Sequence, residues 1–222
     1  MAHRITLGAG DGHVLEAWHA DAGAEAIGGI VILQAIYGLT PHLADVCDLY
    51  ARDAVSAIAP ALYDRSGRNI VFGYDEAGRE AGMARRETLA RATVLADVSA
   101  ALGRLRPAGP VAVQGFCTGG SWAWVAASAL ALDAAVIYYG SDVWEARDLV
   151  PRCPTILHYG DRDAVVPIDR VEEIAARHPG HRLHVYPGAG HAFFNPDQEP
   201  YDRRAAALAH ARTLAFLQER FG

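Results

Sequence analysis

A chain of 222 residues, 51% of them hydrophobic, carries enough apolar side chains to bury a full core without a disulfide or metal staple. Its formal net charge of −6 gives no electrostatic reason to expect nucleic acid as a partner. Three cysteines, Cys47, Cys117 and Cys153, lie far apart without a CxxC pair. No pair of the ten histidines has helical ligand spacing beside a carboxylate, so neither a disulfide framework nor a metal site is expected.

Taken in chain order, the segment Met1–Thr6 lacks an apolar signal core, and no apolar run is long enough to span a bilayer. No membrane association is expected, and a reducing cytoplasm is the expected setting. Gly8-Ala9-Gly10-Asp11-Gly12 has the glycines of a dinucleotide loop but precedes a strand instead of following one, so no nucleotide cofactor is expected there. Strands are predicted at His13–His19, Gly29–Ala35 and Ser56–Pro60. Within the second, Ile30-Val31-Ile32-Leu33 is apolar at consecutive positions, as in a strand buried on both faces. Leu95, Val98, Leu102 and Leu105 fall at helical spacing and mark the core stripe of a helix that ends before Pro107. Further strands follow at Pro110–Gln114, Ala134–Tyr139, Thr155–Tyr159 and Arg182–Tyr186. A last helix over about 201–221 shows a stripe through Ala207, Ala211, Leu214 and Leu217. Strands alternating with helices predict an α/β fold, a mostly parallel central sheet with helices on both faces. One domain over residues 1–222 is expected, with no separate lid domain.

The chemistry concentrates where Val111-Ala112-Val113-Gln114 runs into Gly115-Phe116-Cys117-Thr118-Gly119-Gly120. A buried strand, Gly-x-Cys-x-Gly and then an Ala- and Trp-rich helical stretch resemble the nucleophile elbow of α/β-hydrolases, with cysteine in place of serine. The glycines allow a sharp strand-to-helix turn. That turn leaves Cys117 at a helix N-terminus, where the dipole and free N–H groups favour a thiolate. Such a nucleophile needs a base and a group to orient the base. Gly160-Asp161-Arg162-Asp163 follows one predicted strand and Gly190-His191-Ala192-Phe193 follows another. The order nucleophile, acid, histidine is that of α/β-hydrolases, and each candidate falls at the C-terminal end of a strand. Tyr138, Trp144 and Phe193 follow strand ends or flank these loops and are candidate contacts for an apolar or aromatic acyl group. Trp122 and Trp124 read as packing residues, and His158 and His184 as core or edge residues of strands.

Gly115-Phe116-Cys117-x-Gly-Gly, Tyr138-Tyr139-Gly140, Gly160-Asp161-Arg162-Asp163 with Val166-Pro167, and Gly190-His191-Ala192-Phe193 together resemble the dienelactone hydrolase family. Gln34-Ala35-Ile36-Tyr37-Gly38 and Pro60-Ala61-Leu62-Tyr63 are similar to it as well, so the likeness runs from about Asp11 to the last helix. The resemblance implies a Cys117–His191–Asp163 triad, an oxyanion hole from the N–H groups of Ile36 and Thr118, and a thioester intermediate. It implies a small ester or lactone substrate, and Arg79 as a contact for a substrate carboxylate. Two departures stand out. Ala35 occupies the place of a glutamate that assists the thiol in that family, and Asn195 the place of a second arginine; Arg85 or Arg86 could supply the missing cation. The expected activity is hydrolysis of a dienelactone-type substrate. The alternatives are a broader carboxylesterase or thioesterase with a reassigned pocket, and a non-hydrolytic isomerase or binding protein. A monomer or small homo-oligomer is expected.

Overall fold

The structure is a computed structural model that describes residues Met1–Gly222. Eight strands form one sheet: β1 (His3–Gly8), β2 (Val14–Ala20), β3 (Gly28–Leu33), β4 (Val55–Pro60), β5 (Val111–Phe116), β6 (Ala134–Tyr138), β7 (Thr155–Gly160) and β8 (Arg182–Tyr186). Their order across the sheet is β1-β2-β4-β3-β5-β6-β7-β8. Every residue of β3, β4, β5, β6 and β7 is buried, which is why these strands are apolar at consecutive positions instead of alternating. From β4 through β8 all neighbours run parallel, while β2 pairs antiparallel with both β1 and β4. Parallel strands need crossovers, and helices supply them.

The main helices are α1 (Pro41–Arg52), α2 (Glu76–Arg86), α3 (Arg91–Leu105), α4 (Thr118–Ala129), α5 (Ile168–Arg177) and α6 (Arg203–Phe221). α1 and α6 share one face of the sheet: His210 of α6 reaches Asp53, just past α1, at 2.8 Å and packs edge-on against Tyr50. α3 and α4 pack together on the opposite face, where Trp124 meets His178 at the end of α5. Both sheet faces are therefore covered, as an α/β-hydrolase fold requires. No helix is long and apolar enough to cross a membrane.

Seven strands stand close to their expected positions, but β1 was not expected. It pairs with β2 from His3↔His19 to Gly8↔Val14 through the turn that contains Gly10 and Gly12. Its burial is slight, so it lacks the apolar run that marks an inner strand. The stripe expected for α6 is right at Leu217 and out of phase at its other three positions. Ala207 and Ala211 are exposed and Leu214 half-buried, while Ala205, Ala206, Ala209, Thr213, Phe216 and Leu217 face the sheet. Alanine suits either face of a helix, so the bulky Phe216 and the hydrogen-bonded Thr213 set the phase. In α3 the stripe is correct except that Leu95 sits at its margin beside buried Val94.

Two glycines separate local from packing effects. A Cβ at Gly103, in α3, would meet no atom within 4 Å, whereas one at Gly29, in β3, would lie 2.9 Å from Leu105 Cβ. Gly103→Ala should therefore raise the unfolding free energy by about 1 kcal/mol from helix propensity alone, and Gly29→Ala should lower it. Urea denaturation measures both, and equal effects would contradict this packing.

Candidate active site

β5 delivers Cys117 at its C-terminal end, and the backbone there is strained: φ is 54° and ψ −119°. A non-glycine residue in this region costs on the order of 1–3 kcal/mol and persists only where its surroundings enforce it. They do so here through glycine. A Cβ on Gly115 would come within 1.9 Å of Gly119 O, and one on Gly119 within 2.3 Å of Leu33 O. The turn is also pinned by hydrogen bonds. Cys117 N–H donates to Tyr138 O at 3.0 Å, and Cys117 O accepts from Ser121 N–H at 3.2 Å and Ser141 N–H at 3.3 Å. Thr118 then opens α4, whose first N–H groups have no partner within the helix.

The loop after β7 carries Asp163, whose side chain is fully buried. Its Oδ1 accepts from the N–H groups of Val165 (2.8 Å) and Val166 (2.9 Å), and its Oδ2 lies 2.8 Å from His191 Nδ1. That second contact fixes the imidazole tautomer and leaves Nε2, buried and without another partner, available to the sulfur. Burial alone would lower the pKa of His191. The Cys117 charge and the bond to Asp163 reverse this and raise it to about 10. For Cys117, burial pushes the thiol up, but the charge of the neighbouring His191 ring, helped by Thr118 N–H and Ser141, brings it below its ordinary value. The two opposed shifts share one cause, the interaction between the Cys117 sulfur and the His191 ring.

Facing this pair, the chain after β3 is held from two sides. Gln34 Oε1 accepts from Leu62 N–H at 3.1 Å, and Ile36 O accepts from Tyr63 O–H at 3.1 Å. α2 presses on the same carbonyl, since a Cβ on Gly82 would lie 2.6 Å from Ile36 O. Cys117, His191 and Ile36 all line a cavity of about 410 Å³.

Arg79 lines it too, with its side chain 53% exposed and paired to Glu76 at 2.6 Å. Three expected contacts are elsewhere. Tyr138 is fully buried, its hydroxyl 2.9 Å from Thr213 and its ring stacked on His158. The following residue takes the wall position: Tyr139 turns through a φ of 38° and sets its ring 5.0 Å from that of His191. Phe193 is buried behind it, 5.3 Å from Tyr139 and 5.1 Å from Tyr186. Trp144 lies off the wall under the guanidinium groups of Arg147 (4.3 Å) and Arg170 (5.7 Å). Ala35 and Asn195 do line the cavity. Of the two candidate replacement cations, Arg85 bonds Ser66 O at 3.0 Å, and Arg86 lines the cavity.

Arg86 belongs to a network that the sequence reading missed. It clamps Asp142 with contacts of 3.0 and 3.4 Å, Ser141 Oγ donates to Asp142 Oδ2 at 2.6 Å, and Asp142 N–H donates to Ser121 Oγ at 2.8 Å. The available signal was Ser141-Asp142 directly after Tyr138-Tyr139-Gly140, a strand end beside the elbow. Arg170 with Glu145 (3.6 Å) completes the charged part of the wall.

The profile of the dienelactone hydrolase family matches residues 15–221. The chain belongs to that family. It is 30% identical to carboxymethylenebutenolidase 1 of Cupriavidus pinatubonensis over 198 residues, covering 85% of this chain and 84% of that one. It is 29% identical to the carboxymethylenebutenolidase of Pseudomonas putida, covering 98% and 96%. A crystal structure of a Klebsiella pneumoniae protein assigned as a dienelactone hydrolase superposes with a TM-score of 0.83 at 26% identity, over 100% of this chain and 98% of that one. The protein is a hydrolase of dienelactone hydrolase type.

The Cys117–His191 pair makes a direct prediction. Iodoacetamide should alkylate Cys117 readily below pH 7, because the His191 ring lowers the pKa of the thiol. In His191→Asn the rate should rise only near pH ~8.5, as for a free thiol. A wild-type profile that switches on only at that pH would contradict the pair.

Proposed function

We propose that the protein hydrolyses a small ester or lactone through a thioester on Cys117. The observation that carries this is the coupling of Cys117 to an imidazole that Asp163 holds at 2.8 Å, on a backbone strained into the elbow conformation. The thiolate attacks the carbonyl carbon, and the N–H groups of Ile36 and Thr118 receive the developing oxyanion. His191 gives its proton to the departing alkoxide as the C–O bond breaks. It then takes a proton from water, whose oxygen attacks the thioester. The C–S bond breaks and the thiolate–imidazolium pair is restored, with the acid released. For a lactone the leaving oxygen stays attached, so the product is a hydroxy acid or, from an enol lactone, an enol acid that tautomerises to a keto acid. Asp163, with both oxygens committed, orients the ring and offsets its charge. An amide is a poorer substrate, because its nitrogen must be protonated before it leaves more readily than the thiolate.

The names of the relatives support an unsaturated lactone carboxylate as substrate. Within the cavity Arg79, Arg86 and Arg170 each have an acidic partner, and Arg79, whose partner Glu76 is more exposed than Asp142 or Glu145, is the cation that would exchange it for a substrate carboxylate. Asn195 in place of a second cation favours a broader esterase as the second reading. Thiolate chemistry of this kind suits the reducing cytoplasm.

The test is kcat/KM for a dienelactone carboxylate and for a neutral activated ester, each with wild type and Cys117→Ala. Cys117-dependent preference for the dienelactone supports the first reading, and turnover of the neutral ester alone supports the second. Turnover of neither contradicts both. Asp163→Asn should lower kcat by about 10⁴. Arg79→Ala should raise KM for the acidic lactone while leaving kcat in place, the signature of lost uniform binding. An unchanged KM would mean that the guanidinium does not hold the substrate.

A further inference from the structure

One wall of the catalytic cavity is polar yet uncharged. Thr40 and His42 bring it from the start of α1, and Asn195 and Gln198 from the chain after His191. The charged groups lie elsewhere: Arg79 and Arg86 on α2, Asp142 and Glu145 after β6, Arg170 on α5. His42 is 7% exposed and Asn195 4%. The His42 ring is held by aromatic packing, 5.9 Å from Phe116 and 6.3 Å from Phe194, and its buried Nε2 has no hydrogen-bond partner. Asn195 commits its Oδ1 to Asp197 N–H at 3.0 Å, which leaves its NH₂ group to donate. Thr40 precedes α1 without capping it through its side chain. Buried polar groups are nearly always paired, and His42, a residue of the cavity wall, has a ring nitrogen that the chain itself leaves unpaired.

The geometry points to a specificity subsite at His42 and Asn195 that takes an uncharged oxygen function of the substrate, a hydroxyl or a carbonyl, and turns a carboxylate away. It deepens the hydrolase reading and rests on Cys117 as the nucleophile. Burial holds His42 neutral, near pKa 4, against the weaker opposing pull of Asp197 and Asp45. A neutral imidazole offers one N–H donor and one lone pair. A hydroxyl can satisfy either nitrogen and also accept from the Asn195 NH₂ group. A carboxylate would meet a lone pair and no positive charge. A substrate would thus lie with any acidic end toward Arg79 and an uncharged oxygen between α1 and the His191 loop.

The test compares matched p-nitrophenyl esters: butanoate with 3-hydroxybutanoate, and hexanoate with 6-hydroxyhexanoate. For at least one pair, wild type should favour the hydroxylated member in kcat/KM by about tenfold or more, the scale of one net hydrogen bond. His42→Phe, which keeps the aromatic packing, and Asn195→Asp, which keeps the Oδ1 acceptor, should each bring the ratio close to one. Because the readout is a ratio on one preparation, partial loss of folded enzyme does not move it. Cys117-dependent turnover with no preference, or with a preference that both variants retain, overturns the subsite alone. Turnover that survives Cys117→Ala overturns the thioester reading and the subsite with it.

Discussion

The site depends on one strained residue. Cys117 occupies a backbone conformation that L-amino acids avoid, and it is held there because Gly115 and Gly119 let β5, α4 and the end of β3 approach without side chains between them. Gly120 extends this packing, since a Cβ there would lie 2.9 Å from the Gly140 Cα. The strain is offset by three backbone hydrogen bonds at Cys117 and by the fully buried strands on either side. Relaxing the turn would withdraw the sulfur from the N-terminus of α4 and from His191 together. Fold and chemistry are thus coupled at one residue, and the neighbouring strands are as much part of the site as the triad side chains.

A buried ion pair normally costs more in desolvation than it returns, unless its geometry is good and its remaining hydrogen bonds are met. Asp163 meets that condition by accepting two backbone N–H bonds besides its contact with His191. Ala35 removes the carboxylate that the family resemblance would put beside the thiol. The acids on the cavity wall are Asp142 and Glu145, and Arg86, Ser141 and Ser121 hold Asp142 in place.

Much of this was legible in the sequence because strong local constraints have strong local signatures. Only glycine fits at positions 115 and 119, so the elbow announces itself, and fully buried strands must be apolar throughout. What stayed hidden is set by tertiary packing. β1 is an outer strand with one mostly exposed face, so its sequence carries little pattern. The phase of α6 depends on Thr213 meeting Tyr138 and His158 across the core, a contact that alanine spacing cannot report. The choice between Tyr138 and Tyr139 turns on where β6 ends: one residue of register separates a core tyrosine from one on the cavity wall. Arg86 and Asp142 are 56 residues apart, and only the fold brings them together.

The most direct test of the account is to look for the acyl group itself. An ester with a good leaving group, mixed with the enzyme and quenched in acid within the first turnovers, should add the acyl mass to the peptide that contains Cys117. That adduct should be labile to hydroxylamine, as a thioester is, and absent in Cys117→Ser at the same time points. An acyl mass on another residue, or steady turnover with no adduct while Cys117→Ser retains full activity, would contradict the thioester account.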